Sequence, residues 1–317
     1  MVAETAKSLR ERWDAAALAA VLGTGTARSP FGEHAGRVDL RGIDLLAAAG
    51  GIFIRRVVFE GVDLTFASLR GVWVEGCRFT GSSLDGTDAH NMTDHGNLFE
   101  GCTFSKTHWQ GGGIGYDGTR FQGCLFEKSL FKGAGFIRPE FDDCTFDQCD
   151  FGGVDFSGSS FERCRFVGRL DDVWFRGGFP EIMLPSGLLR RKRNQMQANF
   201  GVPRPNRMLE VDLSGAELHW ATFSDGCDLS SVVVPEDGRH VLFDDWGERL
   251  VALGAAARSL PERLQGPVEQ FCKVYQVHAE KQRWYILNVD DLEAEWGVAA
   301  RTILDGLDEH NGTPTRP

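Results

Sequence analysis

FQGCLFEKSLFKGAGFIRPEFDDCTFDQCDFGGVDFSGSSFERCRF, residues 121–166, puts a phenylalanine at every fifth position, from Phe121, Phe126 and Phe131 through to Phe161 and Phe166. An α-helix with 3.6 residues per turn would scatter these rings around its axis. A strand with a two-residue alternation would send successive rings to opposite faces. Four short sides of five residues each satisfy the spacing, because they bring position n+20 directly above position n. Working outward, Phe59, Phe79, Phe99, Phe121, Phe141 and Phe161 form a ladder with steps of 20, 20, 22, 20 and 20 residues. The chain is therefore expected to coil.

The position two before each bulky residue is small or of middling size: Val57, Val62, Ala67, Val72, Cys77 and Ser82 in the first part, Cys124, Ser129, Ala134, Cys144, Cys149, Val154, Ser159 and Cys164 in the second. Both positions are expected to point inward. The other three, such as Asp142, Asp143 and Thr145, are charged, polar or glycine and face water. A turn at every corner accounts for frequent Gly and Ser in a chain this rich in Phe.

The units Val62-Asp63-Leu64, Cys149-Asp150-Phe151 and Val154-Asp155-Phe156 resemble the pentapeptide-repeat family, whose unit is roughly Ala-Asp/Asn-Leu-x-x with Leu or Phe at the centre. The resemblance runs from about Ile52 to Phe166. It returns at Val211-Asp212-Leu213, Ala216-Glu217-Leu218 and Ala221-Thr222-Phe223. It implies a mainly β chain, a right-handed four-sided parallel β-helix solenoid, in a cytoplasmic, non-catalytic protein.

A solenoid needs caps over its open ends. At the start, Leu9, Trp13, Ala16, Ala17 and Val21 follow helical spacing; after Phe243, so do Trp246, Leu250, Val251 and Leu253, then Val268, Phe271, Cys272, Tyr275 and Val277. The expected organisation is an N-terminal helix and cap over 1–50, the β-helix over 51–170, a basic insertion over 171–208, further coils over 209–245 and a C-terminal α-helical domain over 246–317. Two departures mark the coil itself. Asp94 falls where a core residue is due, so His90 to Gly96 is expected to bulge out as a loop. Seven residues separate Ile114 from Phe121, so two are inserted beside Gly111, Gly112, Gly113 and Gly115.

With 34 basic and 45 acidic residues the net charge is −11, which disfavours general attraction to nucleic-acid phosphate or anionic lipid. No run of about 18 apolar residues offers a membrane span. Eight cysteines in 317 residues, with no apolar leader at the start, favour a reducing cytoplasm.

Motifs with chemical potential mostly read as structure. Cys102, Cys124, Cys144 and Cys164 stack on one inner side, where Cys serves as a small apolar residue. Gly113-Ile114-Gly115-Tyr116-Asp117-Gly118 has nucleotide-loop spacing but runs into the next five-residue unit rather than a helix. His90, Asp94, His95 and His108 could ligate a metal, but a solvated loop is the plainer account. No spacing assembles a catalytic triad, so no enzyme, cofactor or metal is expected.

The candidate partner surface is acidic. Pro139 to Glu162 holds Glu140, Asp142, Asp143, Asp147, Asp150, Asp155 and Glu162 and not one Lys or Arg, and Glu127 is expected to stack on Asp147 as Asp142 does on Glu162. Family members that protect DNA gyrase are understood to imitate duplex phosphates with such rows. Against that, residues 51–170 carry 16 acidic and 12 basic side chains, a net of only −4. Arg190, Arg191, Lys192 and Arg193 form a candidate basic patch, suited to phosphate, to an acidic partner surface or to folding back near Asp143. Leu292 to Leu304 resembles a helix-turn-helix, yet a lone Arg301 among seven nearby carboxylates opposes docking on DNA. The primary reading is a scaffold for an unidentified protein partner, with a type II topoisomerase as runner-up, direct nucleic-acid binding third, and a homodimer through the C-terminal helices open.

Overall fold

The computed structural model describes residues 4–22, 25–116, 118–177 and 206–309. The phenylalanine ladder is the spine of a parallel sheet. Six strands, Val58–Glu60, Arg78–Thr80, Leu98–Glu100, Arg120–Gln122, Glu140–Asp142 and Ser160–Glu162, pair in order with Phe opposite Phe. Successive rings stack at centroid distances of 4.4, 4.6, 4.7, 4.9 and 5.2 Å. All six are buried. A second side stacks Phe104, Phe126, Phe146 and Phe166 at 4.6 to 4.8 Å. A third is a column of single parallel bridges from Asp44 through Ser68, Asp88, His108 and Leu130 to Asp150. The fourth is formed by Phe53–Arg55, Trp73–Glu75, Thr93–His95, Gly113–Tyr116 and Gly135–Phe136. These sides make a parallel solenoid of about seven turns.

The inner small residues do more than fill space. Cys77, Cys102, Cys124, Cys144 and Cys149 each point Sγ at a backbone carbonyl of the preceding coil, for example Cys102 to Phe79 O at 3.4 Å and Cys144 to Phe121 O at 3.4 Å. Ser82 and Thr107 donate in the same direction, to Phe59 O and Leu84 O, at 3.1 and 2.9 Å. Thiol and hydroxyl are interchangeable here because each can donate to the carbonyl of a bulky inward residue one coil earlier. The residue two after most bulky centres takes positive φ, as in Gly61 and Gly101, and non-glycines such as Lys106 and Lys128 accept the same strained corner.

The expected loop at His90 to Gly96 is not there. Thr93–His95 is an in-register strand, and the Asp94 side chain points into the core with no exposed surface. The Asp94 carboxylate accepts from Asn97 Nδ2, from Gly115 N at 3.0 Å and from Thr119. Gly115 lies in the irregularity by which Gly113–Tyr116 absorbs the insertion against Thr93–His95. The two sequence departures are thus one feature: a bulge in one coil supplies the amide that satisfies a carboxylate in the coil before.

The N-terminal cap consists of two short helices, α1 Ala6–Glu11 and α2 Ala15–Ala19, rather than one; Asp14 caps the second with its side chain on Ala17 N. Arg12 and Arg41 both grip buried Asp39, which ties the cap to the first coil. A third short helix, α3 Leu45–Ala49, fills a corner. Beyond Leu170 the coil continues: Trp174–Arg176, inside the stretch expected to interrupt it, pairs with Asp155–Phe156 and Thr222–Ser224.

The C-terminal end contains α4 Trp246–Ala256, α5 Glu262–Ala279, α6 Val289–Trp296 and α7 Ala300–Asp308. It also holds an antiparallel strand pair that helical periodicity did not foresee, His240–Phe243 with Tyr285–Asn288. Trp246, Leu250 and Phe271 are buried as their spacing implied, whereas Val251 and Val277 face solvent. Tyr285 meets Phe223, the last ring of the stack Phe156–Phe175–Phe223, edge-on at 5.8 Å and stacks on Trp246 at 4.6 Å, joining helical end and coil in one core. No described helix is long and apolar enough to cross a membrane.

Candidate functional site

The outer walls of the coil carry the residues singled out from sequence. Register places Asp142 beside Glu162 and Glu127 beside Asp147, on adjacent sides. The carboxylates do not form a bare row, however. Arg163 bridges Asp142 and Glu162, Arg207 reaches Glu162 at 3.1 Å, Arg176 holds Asp155 at 2.9 Å and Lys128 holds Glu127 at 3.1 Å. Asp150 turns back to accept from Gly152 N at 3.0 Å, and Asp143 occupies a positive-φ corner. Glu140 lies on the ladder side next to Asp142. Arg190, Arg191, Lys192 and Arg193 lie outside the described residues.

The histidines do not converge on a metal. Asp94 is inside the coil while His95 is outside it, sandwiched between Trp73 at 4.3 Å and Tyr116 at 4.8 Å. His90 contacts Asp88 through Nδ1 at 2.7 Å and Gln110 through Nε2 at 2.9 Å. No cluster of three His, Cys, Asp or Glu that could hold a metal occurs among the described residues. Gly113–Tyr116 is a strand followed by the next strand Arg120–Gln122, so the glycine motif is part of the coil wall. The helix-turn-helix-like stretch folds as α6, a short 3₁₀ turn Gly297–Ala299 and α7; its Arg301 pairs with Asp305 at 3.0 Å.

Sequence reasoning missed an outer aromatic strip on the fourth side. Phe53 and Trp73 flank the inward Ile54 and Val74 and lie 5.8 Å apart; His95 and Tyr116 continue the stack across two further coils. Phe53 is 43% exposed and carries the Arg55 guanidinium over its face at 4.2 Å. The signal was present, since Phe53 and Trp73 are twenty residues apart, but Thr93 breaks the series and His95 replaces it two positions later.

The pentapeptide-repeat family model matches in eight copies, over residues 53–92 and 140–168. No curated protein matches. Among solved structures, trypsin-treated QnrB1, described as a plasmid-mediated fluoroquinolone resistance protein, is 15% identical over 63% of this chain and 85% of its own, with a TM-score of 0.40. HetL, a pentapeptide repeat protein involved in heterocyst differentiation regulation from the cyanobacterium Nostoc sp. strain PCC 7120, is 13% identical over 64% of this chain and 92% of its own, with a TM-score of 0.20. Residues 53–92 and 140–168 thus carry eight pentapeptide repeats, and they lie on the walls of the four-sided coil.

Proposed function

We propose that this chain is a non-enzymatic scaffold whose coil presents its outer walls to a protein partner. The observation that carries the reading is the strip from Phe53 through Trp73 and His95 to Tyr116, an aromatic face on a wall whose residues are otherwise mostly polar. Large aromatic side chains are enriched in the central contacts of protein interfaces and scarce on idle surface. Eight free thiols support placement in a reducing cytoplasm. The test is affinity capture from the native host followed by mass spectrometry, comparing the natural chain with a Phe53→Ala, Trp73→Ala variant. A partner retained by the first and lost by the second is expected; identical capture by both would remove the strip as the contact.

A second reading, protection of a type II topoisomerase by duplex mimicry, draws support from the stacked Asp142 and Glu162 and the neighbouring Glu127 and Asp147. The arginines laid over these acids weigh against it, because they cancel the charge row that mimicry needs. A gyrase supercoiling assay with and without a fluoroquinolone decides it: no effect at stoichiometric excess discards the reading.

A further inference from the structure

Where the last coil meets the helical end, a cavity of about 290 Å³ opens between Trp174, Trp220 and the helices α5 and α6. Its aromatic walls are Trp174, Trp220, Tyr275 and Tyr285. Its carboxyl groups, Asp172, Asp291 and Glu295, are neighbours of those rings, and among the described residues no Lys or Arg lines it. Arg176, which lies over Trp174 at 4.8 Å, is tied to Asp155 and Asp225 and so does not neutralise these acids.

The carboxylates divide into a fixed one and two available ones. Asp291 is committed to the fold: it accepts from His219 Nδ1 at 3.0 Å and from the backbone amide of Trp220 at 2.7 Å, which fixes the backbone that carries the Trp220 ring. Asp172 and Glu295 are exposed at the rim, and neither makes an ion pair among the described residues. Trp220 is 44% exposed, an unusual degree for a tryptophan beside a cavity. Burial, and after it the charges of Glu295 and Asp291, push the Tyr275 phenol up, so the negative potential reaches the cavity wall.

We propose that this cavity receives an arginine side chain from a protein partner. Aromatic faces attract a cation through their quadrupole, and a planar guanidinium stacks on them while its N–H groups reach carboxylates at the rim. The cavity is at the lower end of the range for small-molecule pockets, which suits one long side chain better than a larger metabolite. The site lies at the far end of the chain from the Phe53 strip, so it stands or falls independently of that surface.

The experiment is NMR titration of the full chain, following the tryptophan indole signals, with N-acetyl-argininamide and with its neutral isostere N-acetyl-citrullinamide. Saturable shifts of the Trp220 and Trp174 indoles with the arginine probe alone are expected, and Asp172→Asn combined with Glu295→Gln should weaken binding by about fivefold or more. Asparagine accepts the positive φ that Asp172 adopts, so the turn is preserved. Equal shifts with the citrulline probe, no saturation with the arginine probe, or an affinity unchanged in the double variant would overturn the assignment.

Discussion

Raising the pH from 4 to 8 is expected to destabilise this coil through Asp94. Burial among Ile54, Val74 and Ile114 pushes its carboxyl up from 3.8 to about 6, although Asn97, Thr119 and the Gly115 amide all favour the charged form. Below about pH 4 the group is protonated in the folded and the unfolded chain alike, and the full stability of the neutral form is present. Between the two values the unfolded chain releases its proton while the folded chain keeps it, so stability falls as pH rises and the loss is complete above about pH 6. A gap of about two pH units at about 1.4 kcal/mol each corresponds to about 3 kcal/mol. Asp39 behaves oppositely: its burial is outweighed by Arg12 and Arg41, which hold it well below the usual carboxylate range, so its contribution changes only below pH 4. The clean measurement is the difference between the natural chain and Asp94→Asn in urea unfolding, followed by tryptophan fluorescence at pH 4, 5, 6, 7 and 8. The carboxamide puts an NH2 group where one carboxylate oxygen stood, so the donor at that oxygen loses its acceptor, a cost that does not vary with pH. The variant should therefore gain about 3 kcal/mol relative to the natural chain across the range. A difference that stays flat to within about 0.5 kcal/mol would refute the placement of a titrating Asp94 in the core.

Phe141 is buried between Phe121 at 4.9 Å and Phe161 at 5.2 Å, with Phe126 and Phe146 edge-on, so Phe141→Ala should cost about 3 to 5 kcal/mol on denaturant unfolding, and a loss under about 1 kcal/mol would contradict its stacking. Gly115→Ala should lower the melting temperature, because an added Cβ would stand 2.4 Å from the Pro139 backbone nitrogen and φ is +95°; an unchanged melting temperature would mean that the bulge is not held as described. The thiols should be inert to a disulfide reagent until the chain unfolds, since burial pushes Cys77 up to about 11 and Cys149 up to about 12; rapid reaction of either in the folded protein would show that the corners open.

The ladder was legible because it repeats: each Phe packs on the one twenty or, once, twenty-two positions away, and five repetitions of that contact leave one geometry. Asp94 was not, because a carboxylate in a core slot has no partner within its own five-residue unit. Its partner is Gly115, one coil later, and the extra residues that bring that amide into place look in sequence like an unrelated irregularity. The corner Cys, Ser and Thr were legible as small residues but not as donors, since the acceptors are carbonyls more than twenty residues earlier. The strand pair His240–Phe243 with Tyr285–Asn288 joins segments more than forty residues apart across two helices, and each is too short to override the helical spacing around it.

These failures share a cause that bears on function. Inside a solenoid every side chain answers to the coil above and the coil below, so a deviation survives only if its neighbour compensates, as Gly115 does for Asp94. The outward positions are held less tightly: Phe53, Trp73, His95 and Tyr116 stack along one wall, and Trp220 stands exposed beside Asp172 and Glu295, without closing any core. The rings partly bury one another, yet Phe53 at 43% and Trp220 at 44% exposure leave large apolar area in water, which adds a risk of aggregation. The two surfaces therefore need a reason outside the folding of this chain, and a partner that covers them supplies one.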